Sequence, residues 1–307
     1  MANTVLIIGN GFDVDLGLKS KYTDFIKGNE WEKVCELVKD RFPEKFQTIS
    51  LLMHMLEASA ENKLWFDVEY EIHEFIKDYP IKESQISEKH SGLTKEEFIM
   101  LKRALSEYLK RISSEFILDT NKWSYLLLKA LQECNDDVKI FTFNYTNCCR
   151  LCKLPQLDVT YIHGSLDDND IILGCERIGR EYFPKPFNFL RKSDMVSRPN
   201  NIIEELLEAN EVIFFGHSLN VFDYTYFEEF FSSIRFPIEH KLYLTIITRN
   251  QNSESNIRDN LRDQGIQVQN LFKSNIKAAF IHSEPEEFEK KRERDKWAAL
   301  IQRIKEK

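Results

Sequence analysis

Residues 3–25, NTVLIIGNGFDVDLGLKSKYTDF, are the stretch around which we expect the rest of the chain to be organised. The sequence predicts a buried strand over residues 5–8, a tight loop at Gly9 and Gly11, and a helix beyond Gly17. A Gly-X-Gly directly after a short apolar run lets the backbone turn sharply and bring its amides close to a phosphate. The pattern predicts a nucleotide-binding loop, although Val14 stands where the dinucleotide fingerprint has its third glycine, and an ordinary glycine turn fits the same residues. A bulky residue at Gly11 is expected to impair nucleotide binding before it impairs folding.

Composition restricts the class of protein. The chain has 307 residues, of which 42% are hydrophobic, so it can bury one large core or two smaller ones. Its formal charge of −8 argues against direct nucleic-acid binding, because phosphate backbones require clustered lysine and arginine. The first residues lack the basic region of a signal peptide and no apolar run could span a bilayer, which predicts a cytoplasmic protein without membrane contact. The six cysteines are predicted to be reduced thiols, and since Cys149 and Cys152 have no second CxxC pair, no metal is expected.

The chain changes character near residue 136. Before it, residues 30–135 carry apolar residues at three- and four-residue spacing and one glycine, Gly92, which predicts a helical block. Thr94, with Glu97 three positions later, is predicted to cap one of its helices. After it come short β-branched and aromatic runs without alternation, which are typical of strands buried in a parallel sheet. These runs predict strands at residues 138–143, 159–162, 212–215, 242–247 and 278–282.

The pattern as a whole predicts an α/β fold, in which a Rossmann-like parallel sheet has helices on both faces and carries a large helical insert. The predicted domains are a nucleotide-binding core (residues 1–28 and 136–285), the insert (29–135) and a C-terminal helix (286–307). In an open parallel sheet the ligand crevice lies outside the carboxyl ends of the strands. Several polar residues are expected to meet there, although Asn and Ser are also common turn residues after strands. They are Asn10, Asp13, Asn144, His163, His217, Ser218 and Asn220.

Asn144 and His163 form a candidate catalytic pair. Cleavage of an N-glycosidic bond requires a positioned water molecule and a group that polarises a ribose hydroxyl. An asparagine can position water, and a histidine, with an ordinary pKa of about 6.5, can accept a proton from a hydroxyl at neutral pH. The structural alternatives are a capping histidine and a buried amide that satisfies the loop backbone.

Four segments carry a resemblance to known families: residues 7–25, TFNYTN (142–147), YIHGS (161–165) and FFGHSLNVFDYTYF (214–227). In this order they resemble the AbiH family of phage abortive-infection proteins. They also resemble the sirtuin core, with its glycine loop and its Thr-x-Asn, His-Gly and Gly-x-Ser-Leu motifs. The resemblance implies a sirtuin-like sheet that binds NAD and serves in antiviral defence.

Carried over to this sequence, the sirtuin pattern implies that Asn144 and His163 are catalytic. Sirtuins have an aspartate two residues after the asparagine, where this chain has Thr146, and either Asp13 or Asp15 is left to supply that carboxylate. The paired CxxC zinc module is missing, which argues against a protein deacetylase. The predicted nucleotide-binding residues are Gly9, Asn10, Gly11, Phe12, Asp13, Thr142, Tyr145, Gly164, Gly216, His217, Ser218 and Asn220.

Two hypotheses for the function stay open. In the first, the protein is an abortive-infection effector that hydrolyses NAD to nicotinamide and ADP-ribose. In the second, the same site is a non-catalytic sensor of NAD or ADP-ribose that regulates a partner or an oligomer in defence. The expected partner is a small-molecule nucleotide, while a homo-oligomer or a phage-derived trigger is left open. Trp65 and Glu69, one helical turn apart, are candidate lid residues, with a core tryptophan and a paired glutamate as the alternative.

Overall fold

Six strands form one parallel sheet in the computed structural model of the chain, which describes residues 4–41, 49–61, 67–79, 86–176, 183–196, 200–234, 241–272 and 275–307. Their order across the sheet is β3-β2-β1-β4-β5-β6, and every neighbouring pair is parallel. This is a doubly wound, Rossmann-like order, which confirms the predicted α/β fold. The strands are β1 (Thr4–Ile8), β2 (Val138–Thr142), β3 (Val159–Tyr161), β4 (Glu211–Phe215), β5 (Leu242–Thr248) and β6 (Ile276–His282).

Helices connect these strands. Short 3-10 segments accompany them at Lys185–Leu190, Tyr224–Tyr226, Val268–Phe272 and Glu287–Glu289. The helices of the described ranges are α1 (Asn10–Leu16), α2 (Tyr22–Phe25), α3 (Asn29–Arg41), α4 (Leu51–Glu61), α5 (Val68–Lys77), α6 (Glu88–Ser114), α7 (Trp123–Glu133), α8 (Cys148–Leu151), α9 (Lys192–Met195), α10 (Ile202–Glu208), α11 (Glu228–Ser233), α12 (Gln251–Asp263) and α13 (Lys290–Lys305).

The chain divides into two compact units. Unit 1 comprises Met1–Leu18, Phe116–Ile162 and Asn200–Lys307, and it contains the sheet. Unit 2 comprises Lys19–Glu115 and His163–Pro199. These units cut the chain differently from the predicted domain boundaries, because α7 and α13 belong with the sheet and residues 163–199 belong with the helices of unit 2.

Two contacts explain why α7 belongs to unit 1. The amide of Ser124 in its first turn donates a hydrogen bond of 2.8 Å to the carboxylate of Asp15 in α1. The ring of Trp123 stacks on Trp297 of α13, with 4.6 Å between the centroids. The first turn of α7 is therefore held by α1 and α13, two helices of the sheet unit.

The sheet is covered on both faces. On one face, side chains such as Phe214 pack against α10, α11 and α12, with 5.9 Å between the rings of Phe214 and Phe231. On the other face, Phe12 of α1 packs edge-on against Phe215 at 5.1 Å. Arg303 of α13 donates to both oxygens of the Glu211 carboxylate in β4, at 2.7 and 2.8 Å. Central strands β1 and β4 are buried along their whole length, which is why the four residues after their first polar one are all apolar.

Within unit 2, the predicted cap at Thr94 is wrong. Helix α6 begins six residues earlier, at a capping box in which the Ser87 side chain accepts from the His90 amide. The Thr94 hydroxyl donates to the carbonyl of His90 inside the helix. The carboxylate of Glu97 accepts from the amide of Leu51 at 2.7 Å, so it caps α4 rather than its own helix.

Candidate functional site

The carboxyl ends of neighbouring strands lie in one row of the sheet. Ile8 at the end of β1 pairs in register with Thr142 of β2 and Phe215 of β4, and Thr142 pairs with Tyr161 of β3. The segments that follow these residues therefore start from one edge of unit 1. The direction in which the chain winds across the sheet reverses between β1 and β4, which is where ligands bind in doubly wound sheets.

The predicted helix beyond Gly17 is wrong: α1 begins at Asn10, directly after β1, and ends where Gly17 takes a left-handed φ of 112°. We keep the name glycine loop for residues 9–12, and three of its amides are bonded to the protein itself. The amide of Gly9 donates to the carbonyl of Phe215 at 3.0 Å, and the amide of Gly11 donates to the carbonyl of Gly216 at 2.9 Å. The amide of Phe12 donates to the carbonyl of Gly9 at 2.9 Å. Three of the amides expected to face a phosphate thus already have acceptors, and a phosphate at this loop would have to compete with them.

Close packing of two loops explains the Gly-X-Gly pattern. A Cβ atom at Gly9 would lie 2.6 Å from the Cα atom of His217, and one at Gly11 would lie 2.6 Å from the Cα atom of Gly216. Gly216 itself has a φ of 68°, and a Cβ there would lie 2.3 Å from the amide nitrogen of Phe12. The expectation that bulk at Gly11 spares the fold is therefore wrong, because the loop after β4 occupies that space.

Buried polar side chains lie beside this loop, at the ends of β1 and β2. The hydroxyl of Thr146 donates to Oδ2 of Asp13 at 2.5 Å. The amide nitrogen of the Asn144 side chain donates to the carbonyl of Gly9 at 3.1 Å, and the backbone amide of Asn144 donates to the hydroxyl of Thr142 at 3.1 Å. All four side chains are buried, and we call Asp13, Thr142, Asn144 and Thr146 the edge cluster.

Asp13 is the charged member of the edge cluster. Only 1% of the residue is exposed, and burial raises its pKa from the ordinary 3.8 to about 6. The Thr146 hydroxyl and the Asn144 amide favour the ionised form and offset part of this rise. Oδ1 of Asp13 has no hydrogen-bond partner among the described residues.

Of the two carboxylates left open by the sequence, the structure brings Asp13 to Thr146. The carboxylate of Asp15 instead accepts from the Ser124 amide at the start of α7, and burial raises its pKa. Asp15 therefore serves as a helix cap, while the pair of Asp13 and Thr146 lies at the strand edge.

The second predicted catalytic residue, His163, comes directly after Ile162. The amide of Ile162 donates to the carbonyl of Thr142 at 2.9 Å, which fixes the chain at the end of β3. His163 is buried and is the first residue of unit 2, where its carbonyl accepts from the amide of Ile172 at 2.7 Å. Gly164 has a φ of 72°, and a Cβ there would collide with the carbonyl of Asp170, so the His-Gly pattern has a backbone reason.

The loop after β4 fixes the tautomer of the neutral His217 ring. Nδ1 of His217 accepts from the amide of Leu219 at 3.0 Å, so in the neutral ring the proton is on Nε2. Oδ2 of Asp223 lies 3.8 Å from Nε2, and the ring packs edge-on against Phe143 and Phe227. Leu219 has a φ of 51°, which is unusual for a side chain of this size and marks a tightly constrained turn.

The other predicted binding residues differ in their exposure. Ser218 is exposed, whereas Oδ1 of Asn220 accepts from the amides of Phe222 and Asp223 and so forms an Asx turn. Asn10 is exposed at the start of α1. Phe12 is a core residue packed on Phe215, and Tyr145 and Gly164 are buried.

The candidate lid residues are not both described. Trp65 lies outside the described residues. Glu69 is buried in unit 2, where its carboxylate accepts from the ammonium of Lys192 at 2.8 Å. The two charges form a buried ion pair, which fits the alternative reading of Glu69 as a paired charge.

Sequence reasoning missed that a cluster of three buried thiols follows β2 and that two of them, Cys148 and Cys152, interact with the charge of Asp13. Cys148, Cys149 and Cys152 are buried on α8 and at its end. Burial, together with the charges of Cys149 and Asp13, raises the pKa of Cys152 to about 12, so this thiol stays protonated at neutral pH. A hydrogen bond with Cys149 and burial raise the pKa of Cys148. The signal in the sequence was the CCRLC run directly after the Thr-x-Asn motif.

Within the described residues, no group of three or more His, Cys, Asp or Glu residues could hold a metal ion. None of the helices in the same part of the chain is both long enough and apolar enough to cross a bilayer.

Together these features define an α/β protein with a Rossmann-like parallel sheet and a buried polar cluster at its carboxyl edge. The family model described as bacteriophage abortive infection AbiH matches residues 5–243. The chain belongs to the AbiH family, and this membership indicates a role in phage abortive-infection defence. A search of curated proteins found no match.

Proposed function

We propose that this AbiH protein binds NAD at the carboxyl edge of its sheet and hydrolyses it to nicotinamide and ADP-ribose. The observation that carries the proposal is the edge cluster. Buried polar side chains meet beside β1 and β2, at the edge where doubly wound sheets hold nucleotides. Buried polar groups at such a position are expensive for folding, which favours a role in binding or chemistry.

The resemblance to sirtuins supports NAD as the substrate. Thr142 and Asn144 occupy the Thr-x-Asn motif and lie in the edge cluster. His163 occupies the His-Gly motif and follows the end of β3. Thr142 thus ends β2, and Asn144 and His163 follow β2 and β3 with one residue between.

In the proposed reaction, the bond between the nicotinamide nitrogen and C1′ of the ribose breaks, and its electron pair leaves with nicotinamide. The oxygen of one water molecule forms the new bond to C1′, and one proton is released. Asn144 orients this water, and His163 accepts a proton from a ribose hydroxyl, which stabilises the positive charge that develops on the sugar. NAD and water are consumed, and no further reactant is needed.

A specific contact favours a second candidate function, a sensor that binds NAD or ADP-ribose without cleaving it. The side-chain amide of Asn144 already donates to the carbonyl of Gly9, so it ties the end of β2 to the glycine loop. An asparagine in this role stabilises the loop and need not orient water. In that case the ligand would regulate a partner or an oligomer in defence.

Turnover separates the two candidates. Purified protein is incubated with NAD, free nicotinamide is quantified over time, and NAD affinity is measured in parallel. Nicotinamide release that is proportional to protein concentration supports the hydrolase. Tight NAD binding without product supports the sensor, and neither binding nor product contradicts both.

A further inference from the structure

Asp13 has a structural role that a neutral residue could fill. Its Oδ2 accepts from the hydroxyl of Thr146, and this hydrogen bond joins α1 to the segment after β2. An asparagine at the same position could accept this hydrogen bond through its side-chain oxygen without placing a charge in the interior. The carboxylate therefore needs another explanation.

The second oxygen of Asp13 supplies that explanation. Oδ1 is buried and has no hydrogen-bond partner within the described ranges: the Asn144 side-chain amide, which favours the ionised carboxylate from nearby, donates its hydrogen bond to the carbonyl of Gly9. A buried acceptor without a partner is destabilising and rare in native proteins, and a carboxylate oxygen is the costliest kind. A ligand that donates a hydrogen bond to Oδ1 would satisfy it.

The surroundings of Asp13 restrict the ligand's chemistry. A buried carboxylate repels phosphate and attracts N–H and O–H donors or positive charge. The nearby amides of Gly9, Gly11 and Phe12 donate to protein carbonyls, so these three offer no spare donors for an anion. The charge of Asp13 contributes to the raised pKa of the Cys148 and Cys152 thiols, which are uncharged at neutral pH.

We propose that Asp13 is a specificity-determining residue whose ionised Oδ1 accepts a hydrogen bond from an N–H or O–H donor in the phosphate-free part of the nucleotide. The diphosphate then lies away from the edge cluster, in contrast to the sequence-based expectation for the Gly9 loop. This inference rests on the proposed function, since NAD supplies donors of both kinds: the carboxamide of nicotinamide and the ribose hydroxyls.

Affinity for carba-NAD, an analogue whose glycosidic bond is not hydrolysed, tests this role by calorimetry. Asp13→Asn should bind roughly 10- to 100-fold more weakly at about pH 7.5, the loss expected for a charge-assisted hydrogen bond. With a pKa of about 6, Asp13 is about one-tenth ionised near pH 5, so the wild type should bind about tenfold more weakly there. Asp13→Asn should show no such change with pH.

Two further measurements complete the test. Thr146→Val keeps the carboxylate but removes the hydroxyl that favours its ionised form, so the midpoint of the pH dependence should move upward. The affinities of nicotinamide and of ADP-ribose are then measured separately for the wild type and Asp13→Asn. The fragment that binds more weakly to Asp13→Asn carries the group that donates to Oδ1.

The outcomes distinguish this inference from the proposed function. Equal affinity of wild type and Asp13→Asn at every pH would overturn the role of Asp13 and leave NAD binding intact. No binding of carba-NAD together with no release of nicotinamide from NAD would overturn the proposed function and this inference with it.

Discussion

Replacing Asp13 by asparagine should stabilise the protein at neutral pH. The pKa of the carboxyl is about 6 in the folded protein and 3.8 in an unperturbed chain, so the folded state holds the proton more tightly. The stability that this group contributes is complete below the unfolded pKa and is lost as pH rises through about 6. At about 1.4 kcal/mol per pKa unit, the loss at pH 7 and above amounts to about 3 kcal/mol.

Asp13→Asn resembles the protonated carboxyl in shape and can still accept from the Thr146 hydroxyl. Its free energy of unfolding in urea should therefore exceed that of the wild type by up to about 3 kcal/mol near pH 7.5, and by little near pH 4. A residue that costs stability and supports binding is what a functional site is expected to contain.

Glu30→Gln is the control with the opposite sign. A hydrogen bond with Arg111 lowers the pKa of Glu30, so its contribution to stability is present above the ordinary carboxyl pKa and is lost as pH falls. This variant should be less stable than the wild type near pH 7.5 and closer to it at low pH. An Asp13→Asn protein that is less stable than the wild type near pH 7.5, or equally stabilised near pH 7.5 and pH 4, would show that the ionised Asp13 carboxylate does not destabilise the fold.

Two further pairs of substitutions test the close packing at Gly11 and the buried ion pair of unit 2. Gly11→Ala should lower the free energy of unfolding by about 1–3 kcal/mol, because the added Cβ meets the Cα atom of Gly216. Gly92→Ala is the matched control: it has open space around it in α6 and should raise the free energy of unfolding by about 0.5–1 kcal/mol. If urea unfolding showed the same change in the free energy of unfolding for both variants, the contact between Gly11 and Gly216 would not restrict position 11. Lys192→Met should cost about 3–5 kcal/mol by leaving the Glu69 carboxylate buried alone, and adding Glu69→Leu should restore most of it. A Lys192→Met protein as stable as the wild type would show that the pair is not desolvated.

The sheet could be predicted because strands buried on both faces of a parallel sheet are short apolar runs without alternation. Strands β1 and β4 each contain four consecutive apolar residues, and each is followed by a glycine. Their order in the sheet could not be predicted from such runs, because strand pairing depends on long-range packing and leaves no local signal.

The assignment of helices to the two units could not be predicted from the sequence either, because it also depends on long-range packing. Helix α7 has the same amphipathic spacing as the helices of unit 2, and only its contacts with Asp15 and Trp297 show which core it covers. Glu97 likewise matched a capping pattern for its own helix, while its partner Leu51 lies 46 residues away in the chain.

The candidate site was predicted in part. The position of Asn144 after a buried strand followed from the sequence, as did the presence of a polar edge. The partnership of Asp13 with Thr146, across 133 residues, did not, because a hydrogen bond between distant side chains depends on how α1 packs against β2. The expected loop followed by a helix beyond Gly17 was wrong, because α1 begins at Asn10 and ends at Leu16, directly before Gly17. Gly9 and Gly11 are instead needed for the close contact with the segment after β4.

Turnover of NAD by Asn144→Ala and His163→Ala shows whether these two residues catalyse NAD hydrolysis. Groups that act in the transition state should lower nicotinamide release by roughly 10²- to 10⁴-fold when they are removed, while NAD affinity changes little. Asn144→Ala should also cost about 1–3 kcal/mol of stability, because the carbonyl of Gly9 loses its donor, so melting temperatures are measured on both variants. Both variants should be folded, bind NAD and be nearly inactive, and folded variants that release nicotinamide at the wild-type rate would show that the two residues are not catalytic.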